Sequence, residues 1–306
     1  MSYKSILERI NSGELIILDG GTGTELQKRG VAMAPGAWCG PVSLENRSVL
    51  EEVHLDYIRA GAEIITANTY SSSRIMLREA GYEDQFMEIN NAAIDAALTA
   101  RERSREKTVL VAGSLSHMIP IKPGTDTVVD NKTSTAFMKE AFEELALLFK
   151  ELGCDLILLE MMYHPERIPP ALAAGRSAGL PLWAGFSIGQ DEEGNPSVYK
   201  DSGCSIDEMF RCIDPDTVDV MGLMHSRAPL TGPGLEILRR YWSGPLSAYP
   251  DSGHFAMPDW HFEGILSPKE FLEYSRSWFK SGVRILGGCC GLGPEHISLI
   301  QELKSQ

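Results

Sequence analysis

Short runs of apolar residues alternate along the whole chain with longer segments in which apolar residues recur every three or four positions. The short runs predict β-strands and the longer segments predict amphipathic helices. Eight strands are predicted, at residues 15–18, 63–67, 108–112, 156–159, 182–186, 218–222, 245–249 and 283–286. Helices are predicted between them, among others at 49–60, 85–103, 134–152, 165–178, 234–242 and 268–280. This alternation is typical of βα units that form a parallel sheet.

Several of the predicted helices carry their own start and stop signals. Ser267 precedes Pro268, which places a capping residue ahead of a proline at the first helical position. Gly61, Gly153 and Gly282 each end a helix and lead directly into the next strand. Eight such units without a low-complexity linker predict one domain over residues 1–306, a single (β/α)8 TIM barrel of the α/β class. A doubly wound open sheet is the alternative.

The charge and cysteine content narrow the range of partners. Twenty-eight Lys and Arg oppose 42 Asp and Glu, so the net charge is −14 and contacts with nucleic acid or anionic membranes are disfavoured. The chain has neither a signal-peptide pattern at its start nor an apolar run long enough to span a bilayer. Its six cysteines lack the spacing of a disulfide framework. We therefore expect a cytoplasmic protein with small-molecule partners, and a homo-oligomer is compatible with the sequence.

The predicted first strand ends in a glycine-rich turn that begins with an acidic residue, Asp19-Gly20-Gly21-Thr22-Gly23. The turn fits neither the dinucleotide-binding pattern nor the P-loop pattern. On one interpretation it is a tight strand-to-helix turn in which Asp19 caps the helix. On the other, Asp19 accepts hydrogen bonds from a bound ammonium group while N–H groups of the turn face an anion. Taken alone, the turn is equally compatible with both.

A second acidic residue, Glu160, directly follows the fully apolar fourth strand, which we expect to be buried in the barrel wall. A buried carboxylate is costly unless a cation meets it. That cation is either an arginine or lysine of a neighbouring strand or part of a ligand. Because the C-terminal ends of all barrel strands surround one active-site face, Asp19 and Glu160 together would form an anionic corner suited to an α-amino group.

The strongest local signal is the pair of adjacent cysteines in Gly287-Gly288-Cys289-Cys290-Gly291, at the end of the predicted eighth strand. Two thiolates suit zinc, although adjacent cysteines also occur as core residues or as a vicinal disulfide. A zinc site needs a third protein ligand. The candidate is His225, just past the predicted sixth strand. The rival histidines that also follow predicted strands are His117, His254 and His261.

In their order along the chain, these motifs resemble those of the homocysteine S-methyltransferase family, which includes betaine-dependent and S-methylmethionine-dependent enzymes. The matching segments are 18–26 (LDGGTGTEL), 66–70 (TANTY), 159–160 (LE), 249–253 (YPDSG), 287–290 (GGCC) and 294–297 (PEHI). The resemblance implies a (β/α)8 barrel, in agreement with the strand count. It also implies transfer of a methyl group from an activated, onium-type donor to a thiol acceptor such as homocysteine.

The resemblance further implies roles for individual residues. Zn²⁺ would be held by Cys289 and Cys290, and by a third ligand after strand six, where the family usually has cysteine and this chain has His225. Asp19 and Glu160 would be the catalytic pair that holds the amino group of the acceptor. The remaining substrate-binding residues would be Gly20 and Gly21 near the acceptor carboxylate, with Asn68, Tyr70 and Asp251.

This chain departs from the family pattern at three places. His225 replaces the cysteine of the strand-six motif, Ser116-His117-Met118 replaces a G-P-Y sequence after strand three, and Asp251 replaces the asparagine of Y-P-N-S-G. Metal-bound histidines commonly donate their other ring N–H to a carboxylate. Since strands six and seven are neighbours in a barrel, we expect Asp251 to orient His225.

The expected activity is zinc-dependent S-methyl transfer, in which the metal ionises the acceptor thiol and no separate base is required. Two alternatives stay open at this point. One is a zinc barrel enzyme that acts on a different acceptor or acts hydrolytically. The other is a barrel that binds an amino acid or a methylated amine without turnover. The sequence does not identify the methyl donor.

Overall fold

The computed structural model describes residues 2–105, 109–129, 133–200 and 203–305. Its twelve strands are β1 (Ile16–Ile17), β2 (Ile64–Thr66), β3 (Leu110–Ser116), β4 (Leu156–Met162), β5 (Leu182–Phe186), β6 (Ile188–Gln190), β7 (Pro196–Val198), β8 (Val220–Arg227), β9 (Leu246–Asp251), β10 (His254–Ala256), β11 (Asp259–His261) and β12 (Ile285–Leu286). Eight of them form one sheet in the order β1-β12-β9-β8-β5-β4-β3-β2. All neighbours in this sheet are parallel, and a parallel bridge between Leu18 and Ile64 joins β1 to β2. The (β/α)8 barrel is therefore confirmed, and the open-sheet alternative is wrong.

Twelve α-helices accompany the strands in the part of the chain that the structure describes. They are α1 (Tyr3–Asn11), α2 (Thr22–Lys28), α3 (Val42–Glu45), α4 (Arg47–Arg59), α5 (Arg74–Glu79), α6 (Phe86–Ser104), α7 (Thr135–Leu152), α8 (Ile168–Ala178), α9 (Ile206–Arg211), α10 (Ala228–Leu238), α11 (Pro268–Lys280) and α12 (Pro294–Ile300). The predicted caps are present: Ser267 forms a capping box with Glu270, and Gly153 ends α7 in the left-handed conformation. None of these helices is long and apolar enough to cross a membrane.

Each of the eight predicted strands corresponds to a barrel strand, but several boundaries differ. Strands β3, β4 and β8 continue past their predicted C-terminal ends, since their backbones stay paired there. The predictions ended too early because polar residues interrupt the apolar runs at these positions. Thr108, the predicted start of the third strand, lies outside the described residues. The helix predicted at 234–242 corresponds to α10, which begins earlier, at Ala228. The prediction started too late because Pro229 and Pro233 are typical of loops, although both lie within this helix.

Two antiparallel hairpins extend the loops at the C-terminal end of the barrel. Strands β6 and β7 pair after β5, and β10 and β11 pair after β9. At the opposite end, Tyr3 of α1 donates a hydrogen bond to Asp219 (2.7 Å) and accepts one from Trp183 Nε1 (2.8 Å). The helix α1 therefore anchors at the N-terminal ends of β5 and β8, and the two hairpins shape the functional end.

Candidate active site

Three side chains with metal-binding atoms converge where β8 and β12 end. His225, Cys289 and Cys290 are buried, and their potential ligand atoms all lie within 4.8 Å of one another. The two Sγ atoms are 3.8 Å apart, and Sγ of Cys289 lies 3.3 Å from Nε2 and 3.5 Å from Nδ1 of His225. Two sulfurs bound tetrahedrally to zinc at about 2.3 Å would be separated by about 3.8 Å. The spacing and the chemistry of these donors therefore fit a zinc ion.

The rival histidines lie elsewhere. His117 is buried, and its Nε2 already accepts hydrogen bonds from the backbone N–H groups of Tyr163 (2.9 Å) and His164 (3.3 Å). His254 and His261 face each other on the β10–β11 hairpin. Of the four histidines considered from the sequence, only His225 forms a group with the cysteine pair among the described residues.

Local irregularities of the backbone aim the side chains at this site. The register of β8 against β9 shifts between Met224 and Arg227, and His225 within this bulge has a φ of 46°. Strand β4 has a similar shift, with Met161, directly after Glu160, at a φ of 60°. Non-glycine residues adopt this left-handed region at an energetic cost, and such strain concentrates at functional sites. The two bulges lie at the ends of β4 and β8, beside the residues Glu160 and His225 that contact each other.

Glu160 is the hydrogen-bond partner of His225. Oε1 of Glu160 lies 2.8 Å from Nε2 of His225, and Ser114 Oγ donates to Oε2 in a short hydrogen bond. The expected hydrogen bond between His225 and Asp251 is replaced by this one, and Oδ1 of Asp251 has no hydrogen-bond partner among the described residues. The neighbour of a candidate metal ligand is thus a carboxylate, as expected, but from a different strand.

The surroundings of His225 favour a positive charge. Burial opposes ionisation of the imidazole, but Cys289 and Glu160 together hold the pKa of His225 well above its ordinary value. For Cys289, burial and the adjacent Cys290 raise the thiol pKa well above its ordinary value. Neighbouring thiols and a carboxylate in a buried site are stabilised by a shared cation, and a divalent metal ion meets that requirement for all of them.

A small pocket of about 40 Å³ adjoins these three side chains. Most of the predicted substrate-binding residues line it: Gly20, Gly21, Asn68, Tyr70 and Glu160, with His225, Cys289 and Cys290. The ring of Tyr70 stacks on that of His225 at a centroid distance of 5.1 Å, and the Asn68 amide donates to the carbonyl of Cys39 at 2.8 Å. Both residues therefore shape the pocket, Tyr70 by contacting the imidazole and Asn68 by fixing the loop that carries Cys39.

Asp19 is completely buried and lies behind two residues that line the small pocket. Its carboxylate accepts hydrogen bonds from Thr66 N (2.6 Å), Thr66 Oγ1 (3.1 Å) and the Tyr249 hydroxyl (2.9 Å). Burial raises the pKa of Asp19 to about 7 in spite of these hydrogen bonds. Asp19 therefore ties β1 to β2 and β9, whereas Glu160 itself faces the pocket. The helix-capping interpretation of Asp19 is wrong, since the partners of its carboxylate are Thr66 and Tyr249 and not N–H groups of α2.

The glycine turns after β1 and β12 pack directly against each other. A Cβ atom on Gly21 would lie 2.6 Å from the carbonyl oxygen of Cys289 and 2.9 Å from Cα of Cys290. A Cβ atom on Gly20 would lie 2.3 Å from the carbonyl oxygen of Leu292. Because real Cβ atoms do not approach so closely, these glycines set the position of the turn that carries the two thiols.

A larger cavity of about 360 Å³ adjoins the same side chains, since His225 and Cys290 line both spaces. Its aromatic wall consists of Trp38, Tyr70, Tyr163, Tyr199, Phe255 and Trp260. Asp251 also lines this cavity. Its Oδ1 atom is buried without a hydrogen-bond partner among the residues that the structure describes, and it lies 3.9 Å from Nε of Arg227. Burial raises the pKa of the Asp251 carboxyl group. Aromatic faces and a desolvated carboxylate attract cationic ligands.

Two thiols, an imidazole and a carboxylate thus lie between a small pocket and an aromatic cavity at the C-terminal end of the barrel, where enzymes of this fold have their active sites. The profile of the homocysteine S-methyltransferase family matches residues 16–303. The chain belongs to this family and is an S-methyltransferase. Family membership confirms the resemblance found in the sequence and decides against a barrel that only binds its ligand.

Known relatives cover nearly the whole chain. It is 30% identical to betaine–homocysteine S-methyltransferase 1 of Danio rerio, over 98% of this chain and 76% of the relative. It is 27% identical to the S-methylmethionine–homocysteine S-methyltransferase BHMT2 of Pongo abelii, over 98% and 81%. The metallated homocysteine methyltransferase MmuM of Escherichia coli superposes with a TM-score of 0.74 at 23% identity, over 95% and 96% of the two chains. At that identity the structural match supports the fold.

Several site residues were missed in the sequence. Ser114, which holds Glu160, and Thr66, which holds Asp19, are small polar residues within strands and carry no distinctive pattern of their own. The aromatic wall was missed because its members come from separate loops. Tyr249 and Thr66 do lie in segments that carried the family resemblance. The sequence therefore marked both positions, but it did not show that they bind Asp19.

Proposed function

We propose that this enzyme transfers a methyl group from an onium-type donor to the thiol of homocysteine, at a zinc ion held by His225, Cys289 and Cys290. The observation that carries the proposal is that His225 and Cys290 line both the small pocket and the aromatic cavity. An acceptor in the first space and a donor in the second would meet at these side chains. Such a fixed approach of two substrates supplies much of the rate enhancement of a bimolecular transfer.

The small pocket suits the amino-acid part of the acceptor. Glu160 uses one carboxylate oxygen for Ser114 and the other for His225. Since a carboxylate has about four lone-pair sites, it can still accept a hydrogen bond from the acceptor ammonium. We assign this contact to Glu160, and we assign to Asp19 the role of fixing the pocket wall through Thr66 and Tyr249. Gly20 and Gly21 line the same pocket, and we assign the acceptor carboxylate to their turn.

The three ligands supply soft sulfur and neutral imidazole donors, and Glu160 fixes the orientation of the imidazole. When bound there, zinc would supply the charge that lowers the acceptor thiol pKa from its free value of roughly 8.5. The thiol proton would then pass to solvent without a dedicated base, and the buried walls would keep water from competing for the methyl group.

The aromatic cavity suits the methyl donor. Its rings offer π-faces to an onium group, and Asp251 offers a carboxylate that lacks a full hydrogen-bonded partner among the described residues. Arg227, whose side chain is about half exposed, lies beside Asp251 and is available to a donor carboxylate. We assign Asp251 to the onium charge. We also propose a cytoplasmic location, which is supported by the reduced thiols of Cys39, Cys154, Cys212, Cys289 and Cys290.

The decisive experiment is a screen of methyl donors against thiol acceptors on the zinc-loaded protein, with methionine formation as the readout. Suitable donors are betaine, S-methylmethionine, S-adenosylmethionine and a sulfonium analogue of betaine. We expect methionine from homocysteine with at least one onium donor, and loss of the product after zinc removal. Turnover that survives complete zinc removal would contradict the metal assignment, and absence of methionine with every donor would contradict the proposed reaction.

A further inference from the structure

A second group of potential metal ligands lies at the β10–β11 hairpin, on the rim of the aromatic cavity. His254, His261 and Glu263 each have one ligand atom within 4.8 Å of those of the other two. His254 also lines the cavity. The proposed methyl-transfer reaction uses none of these three residues, so the group needs an explanation of its own.

The backbone of the hairpin brings the two histidines together. In the antiparallel register, His254 lies directly opposite His261, and such cross-strand pairs hold their Cβ atoms about 4.5–5.5 Å apart. The two imidazole rings stack at a centroid distance of 4.7 Å and an angle of 10° between their planes. Oε2 of Glu263 lies 3.8 Å from Nδ1 of His254. One potential ligand atom of each side chain therefore lies within 4.8 Å of the other two at the protein surface.

The hairpin is held firmly to the barrel. The side chain of Gln27 donates to the carbonyl of Trp260 and accepts from its N–H group, both at 2.9 Å. Trp260 Nε1 donates to the carbonyl of Ser252 at 3.0 Å, and the turn exchanges backbone hydrogen bonds with Gly124 and Thr125. Since the backbone is already ordered, a ligand that bridges the two strands pays little entropy for folding the hairpin.

The donor set selects one class of ligand. Two imidazoles and one carboxylate are the ligands of borderline divalent transition metals such as Zn²⁺, Co²⁺ and Ni²⁺. Ions bound at about 2.0–2.2 Å draw their ligand atoms to within roughly 3.5 Å of one another. The side chains of His254 and Glu263 are 54% and 78% exposed, so they are free to rotate by that amount. The net charge of −14 adds a general attraction for cations.

We propose that His254, His261 and Glu263 bind one divalent transition-metal ion, separate from the zinc of the proposed reaction. The ion links β10 to β11 and to the segment that follows β11, and solvent completes its coordination. Because Phe255 and Trp260 of the same hairpin belong to the aromatic wall, the ion braces the wall of the donor cavity.

Cobalt titration of untagged protein tests the proposal with a spectroscopic readout. Cobalt bound to Cys289 and Cys290 gives intense thiolate-to-metal charge-transfer absorption, whereas cobalt bound by nitrogen and oxygen gives only weak bands. With zinc already at the cysteine site, we expect one further equivalent of Co²⁺ that produces weak bands alone, with its stoichiometry measured by calorimetry. A Cys289→Ser, Cys290→Ser variant should keep this equivalent.

Variants of the three ligands decide the assignment. His254→Gln combined with His261→Gln should abolish the additional equivalent, and Glu263→Gln should weaken it by about tenfold, which is 1.4 kcal/mol. Because Glu263 is largely exposed, its variant tests the site even if the double histidine variant folds poorly. His164→Gln, which removes a histidine outside the group, is the matched control. The proposal fails if the zinc-loaded protein takes up no additional equivalent, or if the double histidine variant and Glu263→Gln bind it as tightly as the wild type.

Discussion

Nε2 of His225 lies 2.8 Å from Oε1 of Glu160, and both side chains are buried. This contact links a candidate metal ligand to the carboxylate that we assign to the acceptor ammonium. The link runs on to β3, because Ser114 donates to the other carboxylate oxygen. Metal binding and acceptor binding therefore share one residue, and a change at Glu160 should alter both.

Glu160→Gln preserves the shape of the side chain but removes its charge. We expect zinc affinity to fall roughly 10- to 100-fold, as for other partners of metal ligands, and homocysteine affinity to fall at saturating zinc. Donor affinity should change little. Zinc competition with a chromophoric chelator and calorimetry with homocysteine measure the two effects. Ser114→Ala, which contacts Glu160 but not His225, should produce a smaller loss of zinc affinity. Wild-type affinities for both ligands in Glu160→Gln would refute the shared role.

Cys289→Ser together with Cys290→Ser should lose zinc while keeping the fold, because the variant removes both thiols from the only group with cysteine ligands among the described residues. His225→Ala should weaken zinc binding by removing the third ligand. Metal analysis after dialysis and far-UV circular dichroism check the two parts. Cys204→Ser with Cys212→Ser alters two cysteines outside the site and should retain one equivalent. If the Cys289, Cys290 variant also retains it, the metal lies elsewhere, and tight binding by His225→Ala would remove the histidine from the ligand set.

Gly21→Ala should disturb the metal site from a different strand. The added Cβ would lie 2.6 Å from the carbonyl oxygen of Cys289, so the turn that carries both thiols must shift. We expect weaker zinc binding and a loss of stability of about 1–3 kcal/mol, typical of overpacking. Gly232→Ala is the matched control, because its Cβ would meet nothing closer than Trp278 at 3.4 Å. Equal zinc affinity of Gly21→Ala and Gly232→Ala would show that the contact between the two turns is not required.

Asp251→Asn tests the charge of the donor cavity. Betaine and 3,3-dimethylbutanoate have the same shape and the same carboxylate, but a neutral carbon replaces the onium nitrogen in the second compound. We expect the wild type to favour betaine by roughly tenfold or more. Two opposite charges about 4 Å apart attract each other by ~1 kcal/mol in bulk water and by ~4 kcal/mol near a protein surface. The variant should lose most of this preference without losing homocysteine affinity. Inhibition constants for both compounds supply the comparison, and an unchanged ratio in Asp251→Asn would contradict the assignment.

His54 predicts a specific acid sensitivity of the fold. It is fully buried on α4, both ring nitrogens lack hydrogen-bond partners among the described residues, and burial lowers its pKa from 6.5 to about 3. The unfolded chain therefore binds a proton between these pH values that the folded chain does not. The free energy of unfolding is therefore at its full value above pH 6.5 with respect to His54, and it decreases as the pH falls. At pH 5 the loss due to His54 is about 2 kcal/mol.

Replacement of His54 by leucine removes the titrating group without breaking a hydrogen bond. Urea unfolding of the wild type and of His54→Leu at pH 5 and pH 7.5 measures the effect. Other groups shift both proteins alike, so the difference between the two proteins isolates His54. The variant should lose about 2 kcal/mol less stability than the wild type on acidification. Parallel losses in the two proteins would mean that His54 is already protonated in the folded chain.

Much of the site was predictable because the relevant information is local. The cysteine pair, the glycine turn and the carboxylate after β4 stand in contiguous motifs, and a barrel brings the ends of all its strands to one face. His225 could be nominated as a ligand on the same argument. Its partner could not, because the choice between Glu160 and Asp251 depends on bulges in β4 and β8 that shift side chains by one position.

The sequence by itself determined the eight βα units, the helix caps and the motif set of the family, because periodicity, capping and turn chemistry act between residues close together in the chain. Only the tertiary structure decided that Asp19 lies behind the pocket, that the aromatic wall assembles from separate loops, and that His254 faces His261 across a hairpin. Those relationships join residues that are distant in sequence or set by strand register. Their geometry follows from packing and backbone pairing, which no local pattern of residues specifies.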